Sequence, residues 1–173
     1  MINIRRQVGH TGWGVSASFT LHLHSIDLPL LNSFQKFFNV GRVHVNANNS
    51  ASFTVGKLED IINVIIPHFK LYPLQSSKSI DFLLWTQCAE ILLNKEHLTE
   101  SGLNKIISIK HAINKGLSED LKLKFKHVEP TVRPDYIVNG SSLNPQWVSG
   151  FSDGDSSFFV SISSKTNQVR IFS

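Results

Sequence analysis

Hydrophobic and polar residues alternate without a break from Trp13 to His24. Trp13, Val15, Ala17, Phe19, Leu21 and Leu23 take one side, and Ser16, Ser18, Thr20, His22 and His24 take the other. A period of two over this length predicts a strand with one buried face. After Asp27 the period changes. Leu30, Leu31, Phe34, Phe37 and Phe38 recur at helical spacing behind Asp27, a residue suited to capping, and Pro29 in the first turn. Two more strands are predicted over 42–47 and 51–56, joined at Asn48-Asn49-Ser50. Val43, Val45, Phe53 and Val55 then face inward. Arg42, His44, Asn46, Ser52 and Thr54 face outward, on the side of His22 and His24. Helices follow over 57–69, stopped at Pro67, and over 76–95. Another runs from a Thr99 cap to 114, with Gly116 as its stop, and a brief one from a Ser118 cap to 125. Residues 130–142 hold two prolines, Asn139-Gly140 and a serine pair, which is linker composition.

The last stretch has its own pattern. Asn144 can cap a helix and Pro145 suits its first turn. Trp147, Val148 and Phe151 are interleaved with the small Ser149 and Gly150, so another backbone can come near. The helix ends on Asp153-Gly154-Asp155. The dipole disfavours acids at that end, so they need a cation, and a divalent metal is the obvious one. Phe158, Val160 and Ile162 then alternate with Ser157, Ser161 and Ser163, predicting a half-buried strand. The order strand, helix, two strands, then helices is α+β.

Length and composition change this picture little. The 173 residues fit one domain of ordinary size, and 41% hydrophobic against 17% charged residues indicates a globular chain. Seventeen Lys and Arg against thirteen Asp and Glu give +4, which permits a nucleic-acid partner without requiring one. The single cysteine, Cys88, rules out an internal disulfide framework and reads as a small buried side chain. No apolar run is long enough to span a membrane, so no membrane partner is expected. Arg5 and Arg6 without an acid in the first 26 residues have transit-peptide composition, but the alternation over 13–24 favours a strand there.

The predicted polar face carries hydrogen-bonding groups with few charges. Such groups can read base edges in a groove, Arg and Asn being best suited to guanine and adenine; the alternative is an ordinary solvated face. His22 and His24 share that face, but no third metal ligand stands near them in sequence.

Val148 to Ser156 resembles the nine-residue signature of the LAGLIDADG homing endonucleases. Asp155 falls on its metal-binding acid, and Ser156 stands where the family usually has a glycine. Other strings resemble fungal mitochondrial members. They are Leu21-His-Leu-His with Asp27, Pro67-His-Phe with Tyr72-Pro-Leu, Lys78 with Asp81-Phe82, the stretch from Asn94 to Gly102, Asn114-Lys-Gly-Leu-Ser118, and Arg133-Pro134. On these the chain is identified as a member of the family from about residue 12 onward.

The resemblance implies a curved antiparallel sheet backed by helices. Residues 1–129 would be a first repeat without its leading motif helix, 130–142 a linker, and 143–173 the start of a second repeat. It implies a site-specific double-strand DNA endonuclease of the intron-homing type, using Mg2+ and found in the mitochondrion. Asp155 would be the catalytic acid that holds the metal. Lys78 would be a basic residue beside the scissile phosphate, its alternative being a solvated lysine at a helix start. Ser16, Ser18, Thr20, His22, His24, Arg42, His44, Asn46, Ser52, Thr54, Ser161 and Ser163 would face DNA, and Gly150 and Gly154 would let motif helices pack. The full-length family form is a monomer with two motif acids. This chain has one, so it is expected to cut poorly or not at all unless a dimer pairs two Asp155 residues. Two other readings stand beside this one: an intron maturase that binds its host intron RNA, and an inert remnant of a decayed endonuclease gene. One hypothesis the residues leave open is that segment 144–173 docks into the place of the missing motif helix; otherwise the sheet of the first repeat would keep an open edge.

Overall fold

Ile2-Asn-Ile-Arg alternates over too few residues to stand out in the sequence, yet it forms a strand, β1 (Ile2–Arg6). The computed structural model describes residues 1–9, 11–137, 143–156, 159–162 and 169–172. β1 pairs antiparallel with β2 (Trp13–Ala17), Ile2 opposite Ala17 and Arg6 opposite Trp13. Gln7 N–H donates to the Gly12 carbonyl (3.1 Å), and Gly12 takes a φ of +71° that a side chain would resist. β1 thus supplies backbone partners to residues 13–17 of the strand predicted over 13–24.

The alternation over 13–24 is one extended run with a break at Ser18. Its N–H donates to the Met1 carbonyl (2.8 Å), and β3 (Phe19–His24) then turns to a different partner. β4 (Arg42–Val45) and β5 (Ser50–Val55) complete an antiparallel sheet in the order β3–β5–β4. Asn48 and Asn49, both in the left-handed region (φ 62° and 54°), make the predicted turn between them. Val45 is 67% exposed rather than inward, because β4 ends there at the sheet edge.

Helix α1 (Leu28–Phe38) lies across β5, but Asp27 does not cap it; a short 3-10 turn at Ser25–Asp27 leads in instead. Its buried stripe is Leu31, Phe34 and Phe38, with Leu30 and Phe37 exposed. The helix expected to stop at Pro67 continues past it. α2 (Leu58–Asp60) opens into a widened π-helical turn (Ile61–Ile65), and α3 (Ile66–Leu71) carries Pro67 in its first turn. In a regular α-helix the Pro67 ring would press on the Asn63 carbonyl, and the wider turn just ahead accommodates it.

α4 (Lys78–Leu93) and α5 (Glu100–Ala112) pack on each other behind the sheet. Thr99 caps α5 as predicted, its hydroxyl accepting the Gly102 N–H (3.1 Å). Trp85, Cys88, Leu92 and Ile106 join Ile2, Leu31 and Phe53 in the main core. α6 (Glu119–Lys124) closes a smaller core in which Phe125 meets Trp13 at 5.2 Å between ring centroids. The helices α1, α4 and α5 thus cover the Phe53 face of the sheet, opposite the face that carries His22.

The chain divides into two units between Tyr136 and Ile137, inside the 130–142 stretch. Residues up to Tyr136 are held to the first unit: Thr131 N–H donates to Ser108 O (3.1 Å), and Tyr136 Oη to Gln75 O (2.8 Å). The second unit opens with α7 (Pro145–Asp155), whose Asn144 cap accepts the Gln146 N–H (2.9 Å). A hairpin follows, β6 (Phe159–Ile162) with β7 (Val169–Phe172), Val160 opposite Ile171. Ser157, Phe158 and Ser163 lie outside the described residues.

Candidate nucleic-acid interface and candidate catalytic residues

Strand register decides which polar side chains stand together. Across β3, β5 and β4 the outward positions line up in rows. Thr20, Thr54 and Arg42 form one row, and Thr54 Oγ1 donates to Thr20 Oγ1 (3.4 Å). His22, Ser52 and His44 form the next. His24 stands opposite Ser50, and the Asn46 N–H donates to the Ser50 carbonyl (2.8 Å). On the β1–β2 side Ser16 lies opposite Asn3, and Gly14 opposite Arg5. Asn3, Arg5, Ser16, His22, His24, Arg42, His44 and Asn46 are exposed, and Ser18, Thr20 and Thr54 are half-buried.

Ser52 departs from the expectation. It is 5% exposed between the two histidines, and its hydroxyl accepts from Asn46 Nδ2 (3.3 Å). Its hydroxyl holds Asn46 in place and is too deep to reach a base edge itself. His24 also has a local task, its Nδ1 accepting the Ile26 N–H (3.3 Å) at the entry to α1. Ser161 belongs to β6, whereas Ser163 lies outside the described residues.

No aspartate or glutamate occurs anywhere in β1 to β5. The strands themselves therefore offer arginines, amides, hydroxyls and imidazoles to a partner, and the carboxylates beside them come from the helices: Asp60 lines a cavity with Arg42, His44 and Thr54, and Asp81 one with Asn3 and Thr20. Sequence reasoning missed Asn3 and Arg5, the two residues that extend this face across β1. The signal was there in the alternation of Ile2 and Ile4 with Asn3 and Arg5, but it was too short to weigh alone.

Lys78 sits at the start of α4, and one cavity brings it together with Asn3 and Thr20 from the sheet and with Asp81, Lys110 and Arg133. Its Nζ donates to Asp81 Oδ2 (3.1 Å) and Asn114 Oδ1 (2.7 Å). The other Asp81 oxygen accepts from Arg133 Nη1 (2.7 Å) and the Asn114 N–H (3.0 Å). Burial alone would push the Asp81 carboxyl up. The Asn114 N–H, Arg133 and Lys78 together outweigh that and hold it below its ordinary 3.8. Lys110 donates to the Gly116 carbonyl (2.8 Å), and burial lowers its pKa.

The sign of the Asp81 shift gives a prediction. A carboxylate with a depressed folded pKa stabilises the fold above its unfolded pKa, and the contribution is lost as pH falls through the folded value. Asp81→Asn is therefore expected to lower stability in urea at pH 7, and its cost should be smaller at a pH below the ordinary 3.8. A cost equal at both pH values would remove the ion pair as its cause.

Asp155 is the last residue of α7 and is exposed, as are Asp153, Gly150 and Gly154. A Cβ placed on Gly150 or Gly154 would meet nothing within 4 Å. Among the described residues no ion pair involves Asp153 or Asp155, and no three His, Cys, Asp or Glu side chains converge on one point. A carboxylate beside the last carbonyls of a helix is a set of hard oxygen donors, which fits a divalent cation of the magnesium or calcium kind. Cys88 takes no part: it is wholly buried, and burial pushes its thiol up to about 12.

The family model described as "LAGLIDADG endonuclease" matches residues 1–89. A protein named "Probable intron-encoded endonuclease 3", from Neurospora crassa, is 36% identical over 160 residues, covering 91% of this chain and 30% of that protein. The crystal structure of the I-SmaMI LAGLIDADG homing endonuclease bound to cleaved DNA is 35% identical with a TM-score of 0.90, covering 99% of this chain and 59% of that one. I-SmaMI bound to an uncleaved DNA target in the presence of calcium ions gives 34% and 0.88, covering 99% and 60%. This chain thus spans about a third of the curated relative and three-fifths of the solved one. Match, identity and superposition agree: the α+β fold is that of the LAGLIDADG homing endonucleases, and the chain belongs to the LAGLIDADG endonuclease family.

Proposed function

We propose that this chain is the DNA-reading body and one motif helix of a site-specific, metal-dependent endonuclease that hydrolyses both strands of a duplex. The observation that carries the reading is the outward face of β1 to β5, whose strands present arginines, amides, hydroxyls and imidazoles and contain no acid, in a chain that superposes on DNA-bound homing endonucleases. Arg5, Arg42, Asn3, Asn46, His22 and His44 meet base edges and phosphates in the groove, while Thr20, Thr54 and Ser52 hold their neighbours in register. Unit one is the body of one repeat; α7 with β6 and β7 opens another.

Asp155 holds a divalent metal, Mg2+ in the working enzyme. The bound metal supplies Lewis-acid stabilisation of a phosphoryl oxygen and of the attacking water. The chain's own residues do the rest. The sheet fixes the duplex, the small Gly150 and Gly154 let a second motif helix approach α7, and Lys78 offers an ammonium to the scissile phosphate. Residues 1–173 carry one motif acid. The second comes from another motif helix, either elsewhere in a longer protein working as a monomer or in a second copy of this chain. The chain acts in the mitochondrion, and duplex DNA rather than host intron RNA is its partner.

The face is tested by substitution. Arg5→Gln and Arg42→Gln are each expected to weaken duplex binding and to lower the slope of log affinity against log salt by about one where the lost contact is to phosphate. Fluorescence anisotropy with a labelled duplex, from low to physiological salt, reads both. Unaltered affinity and slope in the double variant would sink the assignment of this face.

A further inference from the structure

Arg133 lies 52 residues after Asp81 in a segment of linker composition, yet it is tied into the Lys78 cluster. Its Nη1 donates to Asp81 Oδ1 (2.7 Å) and to the Ala112 carbonyl at the end of α5 (2.5 Å). Tyr136 anchors the same segment through Gln75 O (2.8 Å). The Asp81 side chain is 12% exposed and its two oxygens are divided: Oδ2 serves Lys78, and Oδ1 serves Arg133 and the Asn114 N–H. Lys78 is 65% exposed, so its ammonium reaches solvent while its other bonds go to Asp81 and Asn114.

We infer that Arg133 is a positioning residue for Lys78, acting through Asp81. By occupying the other carboxylate oxygen and adding a second positive charge, it weakens the hold of Asp81 on Lys78 through their 3.1 Å pair. The ammonium is left aimed outward, able to exchange its bonds for a phosphate oxygen. The catalytic meaning rests on the role given to Lys78 above; the Arg133–Asp81–Lys78 linkage does not. Capping of α5 is a separate effect of the same side chain, since a cation suits a helix C-terminus. The test must therefore tell positioning from capping.

The reactivity of the Lys78 amine does so. The whole 173-residue chain is treated with a trace of acetic anhydride at fixed pH, and the labelling rate of Lys78 is read by mass spectrometry. In Arg133→Gln the neighbouring cation is gone and Asp81 holds the Lys78 ammonium more tightly, so Lys78 labels about 3- to 10-fold more slowly. Arg133→Lys keeps the charge and restores most of the rate. Tyr136→Phe loosens the segment without touching Asp81 and leaves the rate unchanged. A merely structural role predicts the opposite sign, because a segment that comes away exposes Lys78 and speeds its labelling. A rate in Arg133→Gln that is unchanged or faster overturns the inference, and so does equal slowing in Tyr136→Phe. A mixed-sequence duplex at saturation tests the underlying reading separately. Failure of the duplex to protect Lys78, with slow labelling in Arg133→Gln, would remove Lys78 from the DNA site and leave the linkage standing.

Discussion

Phe53→Ala is expected to cost about 3–5 kcal/mol of folding stability, the largest loss for any single side chain of the sheet. Phe53 is wholly buried in β5, the strand flanked on both sides, and faces away from Ser52 and Thr54. Its ring lies nearly parallel to Phe38 at 6.2 Å and to Phe34 at 6.4 Å, and edge-on to Phe19 at 6.4 Å. Truncation leaves a cavity that three aromatic rings held by two elements cannot close. The same ring also packs where Gly41 turns at φ +81°, since a Cβ there would stand 2.7 Å from Phe53 Cε2. Urea unfolding followed by tryptophan fluorescence measures the loss. Phe37→Ala is the control: Phe37 is 68% exposed, and its removal should change stability by about 0.5 kcal/mol or less. Equal costs at the two positions would mean that the sheet and α1 do not pack as described.

Much of this arrangement was legible in the residues themselves. The twelve-residue alternation from Trp13, the Thr99 cap and the Asn48-Asn49 turn each obey a local rule that tertiary context did not override. Other features needed long-range pairing. β1 is five residues long and gains its stability from β2, so its pattern was weak until a partner was known. Pro67 looked like a helix stop because local sequence does not announce a widened turn. The candidate site divides the same way. The outward residues of β3, β4 and β5 follow from alternation, and Asp155 from its helix. The Asp81–Arg133 pair joins positions 52 residues apart, and no periodicity could have brought them together.

The second large effect concerns chemistry. Asp155→Asn is expected to abolish metal-dependent cutting while leaving duplex affinity no weaker, because loss of a carboxylate beside phosphates removes repulsion. The measurement requires two acids. Two copies of this chain joined head to tail supply a pair of Asp155 side chains, and duplexes are first selected from a random pool by binding. The joined form is expected to cut them on both strands in Mg2+. Asp155→Asn in either copy should end the cutting, and the single chain, held monomeric, should bind without cutting. Magnesium-dependent double-strand cleavage by a proven monomer would contradict the need for a second motif acid. Undiminished cutting by the Asp155→Asn form would remove Asp155 from the reaction.

The most direct test of the central claim is a competition at equilibrium. The purified chain is bound to a labelled mixed-sequence DNA duplex, and unlabelled duplex or structured RNA is added as salt is raised from low to physiological. The sheet face predicts that duplex DNA competes better than RNA at every salt concentration, with log affinity falling linearly as log salt rises. Stronger competition by RNA, or no duplex binding even at low salt, would contradict a DNA-reading face and with it the endonuclease reading.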